Sequence, residues 1–311
     1  MSIIQQKHSI QVLEYINQSE YDQINRLMDI CCKEDGINLK LELDYKLHLS
    51  NLANKNQETI SGKKREFLYY IEDTLVAYLG ISCFDGIIGE LCGMTHPIYR
   101  EQGIFHRLLV LATNECKHSD FKQLLILADG NSESGMRFLR ANSSSYAHSE
   151  YRMKRLSNPE SHIEHRTVQL TKEAVRLRPA CKADEKILAR FNTILFNDKE
   201  LTEDDEENTT PLLEEQPENT RTYLIELNGS SIGKINVEFN GQYAFIFGFG
   251  ILPEYRGKGY GRSSLTETLR MIEAQGVTVI ELDVVCTNKN ALGLYQSCDF
   301  VEQSVMNYYN L

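Results

Sequence analysis

Two segments half a chain apart carry the same pattern. His96-Pro97-Ile98-Tyr99-Arg100-Glu101-Gln102-Gly103 matches Leu252-Pro253-Glu254-Tyr255-Arg256-Gly257-Lys258-Gly259. Proline, tyrosine, arginine and one glycine recur at a constant offset of 156 in a chain of 311 residues. An internal repeat of this length means two copies of one domain-sized unit, and the length suits two domains. The surroundings repeat as well. Before each motif an Asx-Gly pair, Asp85-Gly86 or Asn240-Gly241, separates two apolar runs, which is a strong hairpin signal. After each motif comes a helical pattern. Leu265, Leu269 and Ile272 share one face in the second copy, and Leu108, Ala112 and Cys116 share one in the first. Strands at 123–129 and 277–285 follow, then short helices near Ser132 and Asn290, then closing strands HSEYRMKR and SVMNYYNL.

Each copy therefore reads as an α+β unit, a mixed sheet flanked by helices. The expected domains are 1–160 and 170–311, joined through the polar, proline-bearing stretch at 156–174. The second copy opens with a strand at 175–180, and Asp184 is expected to cap the helix that follows. In the first copy, helices are expected over 20–33 and 41–52.

Composition narrows the function. The net charge of −11 argues against general nucleic-acid affinity, which needs a basic face. No apolar run approaches the roughly 18 residues of a membrane span, and the first residues lack the pattern of a secretory signal. The eight cysteines form no CxxC pair and read as reduced residues of a cytoplasmic protein, without a metal site. His148, His162 and His165 lack ligand spacing and read as surface residues. Most of the negative charge sits in 198–218, where ten acidic residues face one lysine. Such a run is a solvated loop, or a collar that draws in a cationic acceptor.

The second copy carries the chemistry. An apolar strand ends at Pro253, a loop with Gly257, Gly259 and Gly261 follows, and a helix starts near Arg262. Backbone N–H groups gathered at such a turn, backed by a helix N-terminus, suit a pyrophosphate. Arg256, Lys258 and Arg262 add positive charge. The order Arg256-x-x-Gly259-x-Gly261, followed by Asn288-x-x-Ala291-x-x-x-Tyr295 and Asp299-Phe300, resembles the acetyl-CoA motif of the GNAT superfamily of N-acetyltransferases. Asp299 stands where the family usually has glycine. The resemblance covers 175–311 well and 20–156 more loosely, and the tandem layout is similar to that of mycothiol synthase.

The resemblance implies two tandem acyl-CoA N-acyltransferase domains and acetyl-CoA as co-substrate. Phe249 to Ile251 would pair with the pantetheine arm. The amides of Gly257, Lys258, Gly259, Tyr260, Gly261 and Arg262 would hold the pyrophosphate, and Asn288 would touch the arm. Tyr295 would protonate the departing thiolate. A backbone N–H at Ile251 or Leu252 would stabilise the oxyanion. Glu238 is the candidate base, with Tyr243 a further one. The activity implied is acetyl transfer to a primary amine, either a small cationic amine or a peptide amine, with no membrane or nucleic-acid partner and the oligomeric state open. The alternative is a non-catalytic acyl-CoA sensor or partner-binding scaffold. In the first copy Glu101 and Phe105 replace Gly257 and Gly261, and pairing Asn131 with Asn288 puts Phe138 in the place of Tyr295. Weakened cofactor binding and no catalysis are expected there.

Overall fold

The computed structural model describes residues 6–56, 63–84, 86–117, 119–143, 145–156, 175–196 and 216–311. The chain divides into two compact units, Met1–Glu150 with Ser304–Leu311, and Tyr151–Gln303.

The first unit runs β1 (His8–Leu13), α1 (Gln18–Asp35), α2 (Leu43–Asn56), β2 (Glu66–Ile71), β3 (Thr74–Ser82), β4 (Ile88–Thr95), α3 (Ile104–Cys116), β5 (Gln123–Asp129) and α4 (Glu133–Asn142). Helix α1 starts in a capping box: Asn17 accepts the Glu20 N–H, and the Glu20 carboxylate accepts the Asn17 N–H at 2.8 Å. It ends at Gly36, left-handed at φ 64°. Strands β1 to β4 pair antiparallel in order, and β4 and β5 pair parallel. One core packs α3 through Leu108, Ala112 and Cys116 against Phe67, Leu79 and Ile126. Another packs α1 through Ile24, Leu27 and Cys31 against Leu68, Tyr78 and Leu127. Successive strand residues thus feed opposite faces, as the period of two requires.

Residues 304–311 were expected to complete the second copy, yet they belong to the first unit. Met306–Asn310 of β12 (Phe300–Asn310) lie antiparallel to Asp129–Leu125 of β5. A strand's alternation fixes which side chains share a face but not which neighbour it joins. The strand HSEYRMKR, expected to close the first copy, forms β6 (Ser145–Arg155), whose Tyr151–Arg155 belong to the second unit, beside β11 (Val279–Val285).

The second unit runs β7 (Arg176–Pro179), α5 (Glu185–Phe196), β8 (Thr220–Leu227), β9 (Ser230–Asn240), β10 (Tyr243–Ile251), α6 (Tyr260–Glu273), β11 (Val279–Val285) and α7 (Lys289–Gln296). Strands β7 to β10 are antiparallel in order, and β10 and β11 are parallel. Helix α6 buries Leu265, Leu269 and Ile272 against Ile225, Ile235 and Val237. Helix α5 covers the opposite face, with Leu188 and Phe191 against Leu224 and Leu252. Asp184 does not reach past its own turn into α5. Its carboxylate accepts the Cys181 N–H at 2.8 Å and pairs with Arg178 at 2.8 Å. The stronger charge-assisted partner takes the carboxylate.

Candidate functional site

In each unit the two parallel strands part company at their carboxyl ends. Strands β10 and β11 pair from Tyr243–Val279 to Ile246–Leu282, yet β10 runs on to Ile251 and β11 to Val285. In the first unit the pairing stops at Leu91–Ile126, while the strands continue to Thr95 and Asp129. A bulge marks β10 at this point: Phe247 faces Asn236, but Gly250 faces Lys234, so one residue more lies on β10 than on β9. The resulting cleft exposes strand backbone that can pair with an extended ligand.

The glycine loop closes the cleft. Gly257 lies at φ 73° and Gly259 at φ 86°, both in the left-handed region. No atom would lie within 4 Å of a Cβ at Gly257, so the turn borders open space. Helix α6 begins at Tyr260, and its first hydrogen bond to the turn is made by the Ser263 N–H to Gly259 O at 3.1 Å. The N–H groups of Tyr260, Gly261 and Arg262 precede that bond and point out of the helix end. Gly261 has ordinary helical backbone, and a Cβ there would meet Leu294 at 3.4 Å.

The basic side chains brace this turn. Arg256 Nε donates to Ile251 O at 2.8 Å, Lys258 Nζ to Glu254 O at 2.8 Å, and Arg262 Nε to Ser297 Oγ at 3.1 Å. Arg100 makes the same clamp in the first unit, to Thr95 O at 3.1 Å. Tyr260 packs its ring 6.4 Å from that of Tyr255.

Of the two oxyanion donors expected, Leu252 drops out, because its N–H is bonded to Ile232 O at 2.9 Å. By the alternation of an antiparallel ladder, Ile251 then directs its N–H to the other edge, towards the cleft. Phe249 lies within the bulge, half-buried beside the α6-side core. Asn288 caps α7, accepting the Ala291 N–H at 3.1 Å. Tyr295, the penultimate residue of α7, is buried against Phe300 with ring centroids 6.0 Å apart. Burial pushes its phenol up to about 12. Among the described residues that phenol has no hydrogen-bond partner.

Glu238 sits on the α5 face of β9, opposite Phe245 and Thr220, and accepts from Asn240 Nδ2 at 2.8 Å and Asn219 Nδ2 at 3.4 Å. Tyr243 lies at the far end of β10 from the bulge and donates to Glu281 at 3.3 Å. Burial raises its pKa.

The sequence reading missed two residues on this same face. Lys234 and Asn236, which the sequence pattern does not single out, are each only 6 % exposed. Both reach the bulge: a Cβ on Gly248 would lie 2.6 Å from Asn236 Nδ2 and 3.4 Å from Lys234 Nζ. The Asn236 Oδ1 accepts from Thr222 Oγ1 at 3.1 Å. Among the described residues Lys234 has no ion-pair or hydrogen-bond partner; its Nζ lies 5.4 Å from the Phe196 ring, and burial alone lowers its ammonium to about 8.

The first unit keeps more of the cleft than its sequence suggested. Glu101 adopts φ 63° and Gly103 φ 72°, the conformations of Gly257 and Gly259. The Glu101 carboxylate is 81 % exposed and pairs with Arg137 at 3.3 Å. A cavity of about 390 Å³ opens between the parted strands, lined by Met94, Thr95, Arg100, Ala128 and Phe138 among others. Phe105 meets Phe138 edge to face at 5.0 Å. The residue matching Asn288 is Ser132 rather than Asn131, since Ser132 caps α4 by accepting the Gly135 N–H at 3.1 Å. The same offset puts the buried Leu139, not Phe138, in the place of Tyr295.

His148 is not a free surface residue: it stacks on Tyr308 at 4.2 Å. His162 and His165, and 198–215 of the acidic run, lie outside the described residues. Among the described residues no cluster of His, Cys, Asp or Glu could hold a metal ion, and no helix is long and apolar enough to cross a membrane.

Comparison with known proteins agrees with this geometry. Residues 186–300 match the acetyltransferase (GNAT) family model. An uncharacterized N-acetyltransferase of Bacillus subtilis is 35 % identical over 65 residues, 21 % of this chain and 42 % of the relative. An acetyltransferase of Yersinia pestis is 23 % identical over 83 residues, 27 % of this chain and 59 % of the relative. The chain thus spans about half the length of these curated relatives. Two solved structures share the fold over nearly the whole chain. A GCN5-related N-acetyltransferase of Sphaerobacter thermophilus has a TM-score of 0.68 at 16 % identity, covering 98 % of this chain and 95 % of its own. A tandem GNAT protein of clavulanic acid biosynthesis has a TM-score of 0.68 at 13 % identity, covering 98 % of each chain. The family match is confined to residues 186–300, while the mixed-sheet fold shared with these two structures runs over nearly the whole chain.

Proposed function

We propose that the second unit transfers the acetyl group of acetyl-CoA to a primary amine. The observation that carries this reading is the parted β10–β11 pair, closed by a glycine turn at the start of α6, with a buried phenol on α7. The amides of Gly257 to Arg262 hold the pyrophosphate, while Phe249 to Ile251 and Asn288 align the pantetheine arm. The free amine attacks the thioester carbonyl, and the Ile251 N–H stabilises the oxyanion. As the C–S bond breaks, Tyr295 gives its proton to the thiolate. A phenol raised to about 12 is fully protonated at neutral pH and so able to donate. Glu238 is the proposed base, acting on the amine from the α5 face. The acidic run 198–218 favours an amine that arrives as a cation, small or peptide-borne, by raising its local concentration at low salt.

A second reading applies to the first unit. Its cavity and retained turn, without a phenol at Leu139, support binding of an acyl-CoA without turnover, which is a sensor rather than a catalyst.

The test is a thiol-release assay with acetyl-CoA over a panel of amines. Turnover by the intact chain is expected, and Tyr295→Phe should lower kcat by about 100-fold or more while the acetyl-CoA KM holds. An unchanged kcat would remove Tyr295 from the chemistry. Binding of CoA without acetylation of any amine would favour the sensor.

A further inference from the structure

The α5 face of the second unit holds a lysine that has no counter-charge among the described residues. Lys234 is 6 % exposed, and among the described residues it has neither an ion-pair nor a hydrogen-bond partner. Beside it Asn236 presents Nδ2, and both donors converge over Gly248 at the bulge. An uncompensated buried ammonium is costly, and chains ordinarily pair it.

The repeat reveals what is missing. At the offset of 156, Glu66 of the first unit corresponds to Thr222, Tyr78 to Lys234, and Gly80 to Asn236. The strand registers agree, with Glu66 opposite Gly80 and Thr222 opposite Asn236. In the first unit a lysine occupies the same place from another element: Lys46 of α2 lies over Gly80. There Glu66 neutralises it at 3.0 Å, and Tyr78 joins the triad at 3.0 Å from Lys46 Nζ. The first unit thus carries its own carboxylate. The second has a threonine at that position, so its lysine and amide form a donor pair with no carboxylate among the described residues.

We propose that the acceptor itself supplies the carboxylate: the amine acetylated by the second unit carries a carboxylate beside it, which Lys234 and Asn236 receive. A carboxylate offers two acceptor oxygens to two converging donors and neutralises the ammonium. The bulge brings that group next to the parted strands, so the amine on the adjacent carbon faces the thioester. The acceptor class is then amino acids or peptides presenting both groups. This inference rests on the acetyl-transfer reading for the position of the amine.

Sets of acceptors that differ only in the carboxylate test it: α-amino acids, their amides and their decarboxylated amines, assayed by thiol release and by calorimetry with CoA present. The acids should have KM values at least about tenfold below those of their amides. Lys234→Met should raise the KM of the acids by about tenfold or more and leave that of the amides unmoved, with Lys234→Arg restoring part of the loss. Thr222→Glu should likewise raise the acids' KM, while raising the thermal midpoint by pairing Lys234 internally. Equal KM values for acids and amides would overturn the proposal. So would a Lys234→Met variant whose kcat falls alike for every acceptor, because Lys234 would then act on the reacting centre. If no acceptor releases thiol, acetyl transfer fails as a reading, and calorimetry still decides the anchor: acids binding no more tightly than amides would overturn it.

Discussion

Lys234 shows how much one missing partner changes a side chain. Among the described residues, Thr222 and Leu224 of β8, Asn236 of β9, Gly248 and Gly250 of β10, and Leu195 and Phe196 of α5 stand around it, none of them titratable. The nearest carboxylate further along the same strand face, Glu238, is engaged by Asn240 and Asn219. Burial therefore acts alone, lowering the ammonium from 10.5 to about 8. The sign of the linkage follows. Between those two values the unfolded chain binds more protons than the folded one, so stability attributable to this group rises with pH. Below about 8 the full cost of the buried charge is present. Lys234→Met should therefore be more stable than the parent at pH 7, by up to about 3 kcal/mol. That advantage should shrink as pH rises from 8 towards 10.5, as read from denaturant midpoints at each pH. A difference that stays constant with pH would mean that Lys234 titrates normally. Tyr295 was legible because its spacing from Asn288 belongs to a recognisable motif. Lys234 was not, since Lys-Ile-Asn-Val-Glu-Phe alternates like any strand with one wet face, and only the packing of α5 makes that face dry. The signal was in the repeat: Thr222 aligned with Glu66 announces a lost carboxylate.

At the scale of elements, the turn after the fourth strand of each unit is held by the same devices whatever its glycine count. The arginine clamp and the pair of left-handed residues recur in both copies, with Glu101 accepting at φ 63° a conformation that Gly257 takes freely. A non-glycine residue there stores on the order of 1 kcal/mol, and the exposed Glu101–Arg137 pair returns little of it. Glu101→Gly should accordingly raise the stability of the first unit by about 1 kcal/mol, seen as a higher midpoint in thermal unfolding. A lower midpoint would mean that the ion pair outweighs the strain. The hairpins, α3, α6 and the loop were readable in sequence because apolar period and Asx-Gly chemistry are local. The counterpart of Asn288 was misassigned by one residue: residue type pairs it with Asn131, whereas Ser132 is the residue that caps α4.

For the whole molecule, the repeat announced two units, and the structure divides the chain into two. What sequence could not assign was the owner of the last strand, because pairing partners are tertiary choices. Within the pair of units chemistry has diverged: one keeps the phenol and a lysine unpaired among the described residues, and the other keeps a roomy cleft with Leu139 and a self-neutralised Lys46. The central claim is that the turn at 257–262 grips acetyl-CoA in the second unit. It is tested most directly by calorimetric titration of the full chain with acetyl-CoA, comparing the parent with Gly261→Glu. A glutamate in the first turn of a helix favours the helix itself, so folding should survive while bulk and charge oppose the phosphates. The account predicts that the second unit's binding isotherm disappears, together with thiol release; undiminished affinity and turnover in the folded variant would contradict it.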